Sequence, residues 1–193
     1  MKLIGLSGTN GSGKDTVGHM LAERHNFLFV SMTDMLRREA MKRGQPVERE
    51  VLRTISAEWR RESGLGVLID KSIEFYDSQT EKYDGLVVAS LRNPGEADRV
   101  HELGGNVIWV DADPRIRYER IQSNAANRGR EQEDKKSFEE FLAEEKAEMT
   151  QSGDAATLNM SGVKQRADRM LLNEGSDIEV FMDLAETTLQ DLL

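Results

Sequence analysis

Cysteine is absent from the 193-residue sequence, which excludes disulfide bonds and thiolate metal sites. No apolar run approaches the roughly 20 residues that a membrane-spanning helix needs. Residues 1–5 lead straight into an apolar strand, so we expect no signal peptide, no membrane association and a cytoplasmic location. Basic residues are outnumbered, 26 against 35 acidic ones, and the net charge of −9 argues against nucleic-acid binding, because neutralising phosphates needs a basic face.

The remaining composition is that of one globular domain. Hydrophobic residues make up 38% of the chain and charged residues 32%, which is enough apolar material for a sizeable core. A chain of this length fits a single domain, residues 1–193. The sequence leaves a monomer and a homodimer equally open.

Glycine is concentrated near the N-terminus. The segment Gly-Thr-Asn-Gly-Ser-Gly-Lys-Asp-Thr occupies residues 8–16, between an apolar strand and an amphipathic helix. A strand that turns at once into a helix needs the positive φ angles of glycine, and the backbone N–H groups of such a turn surround an anion. Lys14 adds a positive charge at the correct offset for the β- and γ-phosphates of a nucleotide. The predicted nucleotide-binding residues are Gly8, Asn10, Gly11, Ser12, Gly13, Lys14, Asp15 and Thr16.

The position after the lysine departs from the usual phosphate-binding loop. Asp15 stands where a serine or threonine usually holds magnesium, and the hydroxyl comes one residue later, at Thr16. The Asp15 carboxylate either binds the metal together with Thr16 or stabilises the helix N-terminus, where a negative charge contributes about 0.3–1 kcal/mol. The sequence leaves these two roles open.

Strands and helices alternate along the chain. Apolar runs predict strands at residues 2–7, 27–31, 85–91, 106–111 and 169–172. Helical patterns between these runs predict βαβ units and therefore a parallel sheet. Capping boxes at Asn93–Glu96 and Ser137–Glu140 predict the starts of two helices.

Two segments interrupt the alternation. Residues 32–76 show three helical patterns and predict an insert that binds the second substrate. Trp59 is expected in the core of this insert, and the alternative is that it stacks on a base. Residues 123–137 are polar and without periodicity, and they predict a lid. The stretch 150–165 shows no clear pattern of either kind.

Arginines follow the carboxyl ends of several predicted strands or lie in the predicted lid. They are Arg37, Arg92, Arg120, Arg128 and Arg130. Ligands of open α/β sheets bind at this edge, and phosphoryl transfer needs cations that hold and neutralise the moving phosphate. These five arginines and Lys14 form the predicted catalytic set.

Two motifs resemble adenylate kinases. Residues 31–37, Ser-Met-Thr-Asp-Met-Leu-Arg, look like the Ser-Thr-Gly-Asp-Met-Leu-Arg segment of those enzymes, and residues 8–16 are similar to their Gly-x-x-Gly-x-Gly-Lys-Gly-Thr loop. The resemblance implies the three-layer α/β fold of P-loop nucleoside monophosphate kinases, in which helices flank a five-stranded parallel sheet of order 2-3-1-4-5. It also implies ATP and Mg²⁺ as cofactors and a small-molecule phosphate acceptor.

The same resemblance implies roles for the arginines. Arg37 and Arg92 would hold the phosphate of the acceptor, and Arg120 would lie against the donor nucleotide. Arg128 and Arg130 would close from the lid on the transferred phosphate.

Other parts of the chain depart from adenylate kinases. Residues 89–91 read Ala-Ser-Leu, so the aspartate that those kinases carry at the end of the third strand is missing. The predicted lid lacks paired cysteine or histidine ligands, and we expect no structural metal there. Residues 128–175 look more like dephospho-coenzyme A kinases and an archaeal kinase-like group. Residues 13–15, Gly-Lys-Asp, are similar to phage deoxynucleoside monophosphate kinases and animal phosphomevalonate kinase.

The sequence therefore predicts an ATP-dependent kinase whose acceptor is a phosphorylated small molecule, first of all a nucleoside or deoxynucleoside monophosphate. The alternative is a dephospho-coenzyme A kinase or another small-metabolite kinase, with Asp34 as general base toward a hydroxyl acceptor. An ATP-binding switch without metabolite kinase activity is the alternative of another class. Asp111 could approach magnesium, whereas Asp113, directly before Pro114, is expected to cap a helix.

Overall fold

Five short strands form the centre of the molecule. The computed structural model describes residues 1–123 and 136–193; residues 124–135, which include Arg128, Arg130 and most of the predicted lid, lie outside the described residues. The strands are β1 (Lys2–Gly8), β2 (Phe27–Ser31), β3 (Gly85–Ala89), β4 (Asn106–Asp111) and β5 (Arg169–Leu172). β3 ends two residues earlier than predicted, because Ser90 adopts a left-handed φ of 77° that no strand continues through.

All five strands are parallel and lie in the order β2-β3-β1-β4-β5, which confirms the topology that the resemblance implied. Along β3 the side chains of Leu86, Val87 and Val88 are fully buried. Leu86 and Val88 belong to one hydrophobic core and Val87 to the other, on the opposite face of the sheet. Burial on both faces is why these strands read as continuous apolar runs.

Helices cover both faces and complete the three layers. They are α1 (Lys14–His25), α2 (Met32–Lys42), α3 (Arg49–Ser63), α4 (Val67–Asp77), α5 (Pro94–Glu102), α6 (Pro114–Ser123), α7 (Phe138–Met149), α8 (Met160–Lys164) and α9 (Ile178–Leu189), followed by a 3-10 turn at Gln190–Leu192. α1 and α9 contribute to one core, and α2 to α5 with α8 contribute to the other. Within the described ranges, no helix is long and apolar enough to cross a membrane.

The helical insert lies between β2 and β3 and consists of α2, α3 and α4. Ser31 caps α2 by accepting a hydrogen bond from the Asp34 backbone N–H. The C-cap of α3 is Gly64, whose φ of 96° suits glycine. Trp59 packs against the hydrophobic core with the Lys71 ammonium 4.6 Å from its ring centroid, which confirms its place in the insert core.

Both predicted capping boxes are present. Asn93 accepts from the Gly95 N–H at 2.9 Å at the start of α5, and the Glu96 side chain returns to the Asn93 N–H. Ser137 and Glu140 make the same reciprocal pair at the start of α7. These local signals were readable because each box involves residues only three positions apart.

The stretch 150–165 is tied to the connection after β3. The Asn93 amide donates to the carbonyls of Ala155 and Thr157, both at 2.8 Å, and the Asn159 N–H donates to the Arg92 carbonyl at 2.9 Å. α8 then begins at Met160 with Asn159 as its cap. The sequence showed no periodicity here because long-range hydrogen bonds, rather than a regular element, hold most of the stretch.

A buried ion pair joins the insert to the sheet. Glu96 of α5 is fully buried, and its Oε1 accepts from Arg60 of α3 at 2.6 and 3.0 Å. Its Oε2 accepts from the backbone N–H groups of Arg92 and Asn93. Each carboxylate oxygen of Glu96 therefore accepts two hydrogen bonds, which offsets much of the cost of removing the charge from water.

We predict that Glu96→Ala lowers the free energy of unfolding by about 3–5 kcal/mol, because it leaves the buried Arg60 guanidinium without a counter-charge. Urea denaturation followed by circular dichroism measures the change. Glu62→Ala, at an exposed position on α3, the helix that carries Arg60, is the matched control and should change stability by less than about 0.5 kcal/mol. Similar values for the two variants would contradict the structural role of Glu96.

Candidate active site

The loop between β1 and α1 is forced into its shape by close backbone contacts. Gly8 has a φ of 145°, and a Cβ there would lie 2.0 Å from the carbonyl oxygen of Val110 on β4. Gly13 has a φ of 95°, and its Cβ would lie 2.6 Å from the Asn173 amide nitrogen. Only glycine fits either place, so the motif read from the sequence corresponds to a real steric need.

The described loop has the properties of an anion site. Gly13 is the N-cap of α1 and makes no side-chain cap, so the first backbone N–H groups of the helix have no side-chain acceptor there. The Ser12 hydroxyl is buried and has no hydrogen-bond partner among the described residues. Lys14 is 8% exposed, a low value for lysine, and lines the adjoining cavity. These observations fit the phosphates of a bound nucleotide.

Asp111, at the end of β4, supports the loop from behind. Its Oδ1 accepts from the Thr9 hydroxyl at 2.8 Å, and its Oδ2 accepts from Lys164 and the Trp109 indole, both at 3.1 Å. Burial raises the pKa of Asp111, but these hydrogen bonds lower it by more than burial raises it. The pKa therefore lies below its ordinary value. Asp111 does not line the large cavity, and its carboxylate positions the loop. Asp113 accepts from the Arg115 N–H at 2.8 Å, which confirms it as a helix cap.

A cavity of about 650 Å³ opens in front of the loop, at the carboxyl edge of the sheet. Its walls come from the loop, the insert, the end of β3, α6 and α7, and the connection between β5 and α9. Its charged lining residues in the described part of the chain are Lys14, Arg37, Arg49, Arg53, Arg60, Arg92, Arg120, Asp15, Asp34, Glu148 and Asp177. Seven are cationic and four acidic, so the lining is positive in a chain whose net charge is −9.

Three of the predicted arginines line this cavity together with Lys14. The Arg37 Nε is buried without a hydrogen-bond partner in the described residues, and Asp34 lies 3.9 Å from its guanidinium. Arg92 is paired with Glu148 at 2.7 Å. Arg120 donates to the Asn173 carbonyl at 2.9 Å and so lies beside the connection after β5. Arg128 and Arg130 fall outside the described residues.

Asp15 and Thr16 also line the cavity, and they supply the oxygen ligands that magnesium prefers. Asp15 is exposed, and no side-chain hydrogen bond caps α1, so helix capping by hydrogen bond is not observed. At the end of β3, Ser90 occupies the cavity edge where adenylate kinases carry an aspartate. In the described ranges, no group of three or more histidine, cysteine or acidic residues could hold a metal.

The sequence did not single out Arg49, Arg53 or Glu148. Arg49 and Arg53 lie one helical turn apart on α3 and pair with Glu144 and Glu148 of α7, which lie at the same spacing. Acidic and basic residues four apart are common on exposed helix faces. The four-residue spacing of these charges was visible in the sequence, but it could not be distinguished from that of a solvent-exposed helix face.

Arg117 was also missed. It is 2% exposed and donates to the Ala112 carbonyl at 2.7 Å and to both carboxylate oxygens of Glu145. It also reaches the Asn10 carbonyl at 3.4 Å. This arginine thereby links α6 and α7 to the loop, a role that a polar helix sequence does not reveal.

Comparison with known proteins agrees with this geometry. A family model described as "AAA domain" matches residues 4–148, three quarters of the chain. The chain belongs to this family. The chain is also similar to archaeal proteins along nearly its full length: a UPF0200 protein of Pyrococcus abyssi is 32% identical, and the match covers 93% of this chain and 95% of that protein. Another, from Methanococcus maripaludis, is 27% identical over 97% of this chain and 96% of its own. The resemblance to an archaeal group of proteins is thus confirmed.

Solved structures of similar fold support the placement of this AAA-domain chain among P-loop kinase folds. A shikimate kinase from Bacteroides thetaiotaomicron aligns with a TM-score of 0.61 at 13% identity and covers 99% of this chain and 97% of its own. TT1252 from Thermus thermophilus aligns with a TM-score of 0.55 at 20% identity, covering 100% and 98%. At such low identity these likenesses show the fold alone.

We predict that Asp111→Asn destabilises the protein by about 1.5–3 kcal/mol at pH 7, because four donors, including the Ala112 N–H, then face a weaker acceptor. The folded pKa lies below the ordinary 3.8, so the stabilisation is present above that value and is lost as the pH falls through the folded pKa. Urea unfolding from pH 7 to pH 3 should show the two proteins converging in acid. Asp84→Asn, at an exposed position, should track the parent throughout; a gap for Asp111→Asn that is independent of pH would contradict the assignment.

Proposed function

We propose that this protein is an ATP-dependent kinase that transfers the γ-phosphate to a phosphorylated small molecule, with nucleoside and deoxynucleoside monophosphates as the first candidates. One observation carries the proposal: the loop bearing Lys14 and the Arg37 guanidinium, whose buried Nε has no partner in the described chain, line the same cavity. A phosphate-binding loop alone needs no second cation of this kind. A two-substrate site does.

The loop supplies the donor side. Backbone N–H groups between Gly8 and Gly13 and the Lys14 ammonium would hold the β- and γ-phosphates, as the geometry of a helix N-terminus favours. Thr16 and Asp15 would hold Mg²⁺, which supplies neutralisation of the phosphate charge when bound. Asp111 keeps the loop in place through Thr9.

The arginines supply the acceptor side and the charge needed during transfer. Arg37 and Arg92 would hold the acceptor's phosphate, and Arg120 would lie near the donor. The roles of Arg128 and Arg130 in closing on the transferred phosphate stay a prediction. A phosphate nucleophile is already ionised at neutral pH, so this reaction needs no general base.

Asp34 is the observation that favours a second candidate. It lies at the start of α2 and lines the cavity beside Arg37, where a carboxylate could accept the proton of a hydroxyl acceptor. A kinase acting on a hydroxyl, such as that of dephospho-coenzyme A, is therefore the alternative. A nucleotide-dependent switch would make no use of Arg37.

A coupled assay of ADP formation distinguishes the monophosphate kinase, the hydroxyl kinase and the nucleotide-dependent switch. Purified protein with Mg²⁺ and ATP is offered nucleoside monophosphates, deoxynucleoside monophosphates, dephospho-coenzyme A and phosphomevalonate in turn. Stimulation by a monophosphate supports the proposal, and stimulation only by dephospho-coenzyme A supports the hydroxyl alternative. ADP formation at background with every acceptor would favour the switch.

We predict that Arg37→Ala lowers kcat/KM for the acceptor by roughly 30- to 1000-fold, or about 2–4 kcal/mol, because a positive charge opposite the phosphate is lost. Steady-state kinetics at saturating ATP measure the effect. Arg38→Ala is the matched control, since Arg38 is the exposed neighbour on α2 and does not line the cavity. Equal rates for both variants would place Arg37 outside the acceptor site.

A further inference from the structure

The arginine pair that faces the acceptor side of the cavity is already bridged by a carboxylate of the same chain. Resting on the proposed function, we propose that Glu148 occupies the place of the acceptor's phosphoryl group and is displaced by it. The anion subsite then consists of Arg53 and Arg92, with Arg37 completing it. Glu148 acts as an internal competitor that sets the affinity for the acceptor.

The geometry of Glu148 is that of a bound anion. One carboxylate oxygen lies 2.9 Å from Arg53 of α3, and the other lies 2.7 Å from Arg92 after β3. The two arginines come from elements 39 positions apart in sequence, and the glutamate comes from a third element, α7. The glutamate side chain is 11% exposed and lines the cavity. It is the only described residue that pairs with both arginines.

The Glu148 carboxylate is ionised at neutral pH. Burial raises the pKa of Glu148, but the positive charge of Arg92 and the hydrogen bond from Arg53 together lower it by more. The pKa therefore lies below its ordinary value. A negative charge is thus held inside the acceptor part of the cavity. An incoming anion has to replace this charge, because Arg92 would otherwise have no carboxylate partner among the described residues and Arg53 would keep only the exposed Glu50.

A phosphoryl group suits this place better than the carboxylate does. Glu148 gives each arginine one oxygen and has none left over. A phosphate monoester presents three terminal oxygens and up to two negative charges. It could serve Arg53 and Arg92 and still offer an oxygen to Arg37, whose buried Nε has no partner in the described residues. This difference gives the acceptor its advantage over the internal glutamate.

The position of Glu148 in α7 allows it to leave. It lies in the last turn of the helix, which ends at Met149. One turn earlier, Glu145 is held by the buried Arg117, and Glu144 is held by Arg49. These pairs keep the body of α7 in place, so displacement of Glu148 requires movement of one side chain and one helical turn.

Phosphate binding to the ADP-loaded protein tests the inference. ADP is first titrated by calorimetry and then kept saturating, so that the loop is filled and inorganic phosphate can report on the second subsite. We predict that Glu148→Gln tightens phosphate binding on the order of tenfold, the factor that an internal competitor present in about nine-tenths of molecules imposes. Arg53→Met should weaken it by about tenfold or more.

Glu139→Gln is the matched control, because Glu139 is an exposed residue in the first turn of the same helix. It should leave phosphate affinity unchanged. Glu148→Asp keeps the charge with a shorter reach and should lie between the parent and Glu148→Gln; it also keeps the test valid if the glutamine variant fails to fold. A purely structural ion pair would change the melting temperature of the Glu148 variants and leave phosphate affinity as in the parent, which would overturn the inference.

Two further results separate the possible failures. Acetate, with a single charge, should bind the Glu148→Gln protein at least tenfold more weakly than phosphate; equal affinity would mean that the subsite takes a carboxylate, which contradicts the phosphoryl assignment. The ADP titration reports on the loop alone. Protein that binds ADP but shows no response to Glu148→Gln refutes only this inference, whereas protein that binds no ADP refutes the proposed function.

Discussion

The carboxylate of Glu96 is the interaction on which the cavity depends. It has no exposure to solvent, and it accepts hydrogen bonds from the Arg60 guanidinium and from two backbone N–H groups after β3. A buried charge is costly unless its hydrogen-bond partners stay in place. The insert helix α3 and the end of β3 are therefore fixed relative to each other. The backbone of Arg92, and with it the acceptor side of the site, is placed by this constraint.

Glutamates on α7 form ion pairs with the arginines around the site. Seven cationic side chains around one cavity repel one another. Glu144 and Glu148 pair with lining arginines of α3 and of the segment after β3, whereas Glu145 pairs with Arg117 of α6, which contacts the loop. The helix therefore connects the insert, the loop support and the acceptor side through charge. These pairs offset the mutual repulsion of the cationic groups.

The parts that could be predicted from the sequence are those fixed by local rules. The phosphate-binding loop follows from glycine geometry and a strand-to-helix turn, the strands from apolar runs, and the capping boxes from residues three positions apart. The pairing of Arg53 with Glu148 joins residues 95 positions apart, and the burial of Arg117 depends on α7 packing over α6. Neither leaves a periodic pattern. The sheet order came from family resemblance, since alternation alone does not fix which strands are neighbours.

The uneven charge of the molecule has a kinetic consequence for its ligands. The chain carries a net charge of −9, so its surface at large repels anions, while the cationic cavity lining attracts them. A positive opening in a negative body concentrates field lines at the entrance and guides anions toward it. At physiological ionic strength the screening length is about 8 Å, so this guidance acts only close to the entrance. Encounter would then be orientation-selective at short range, and its rate would fall as salt is added.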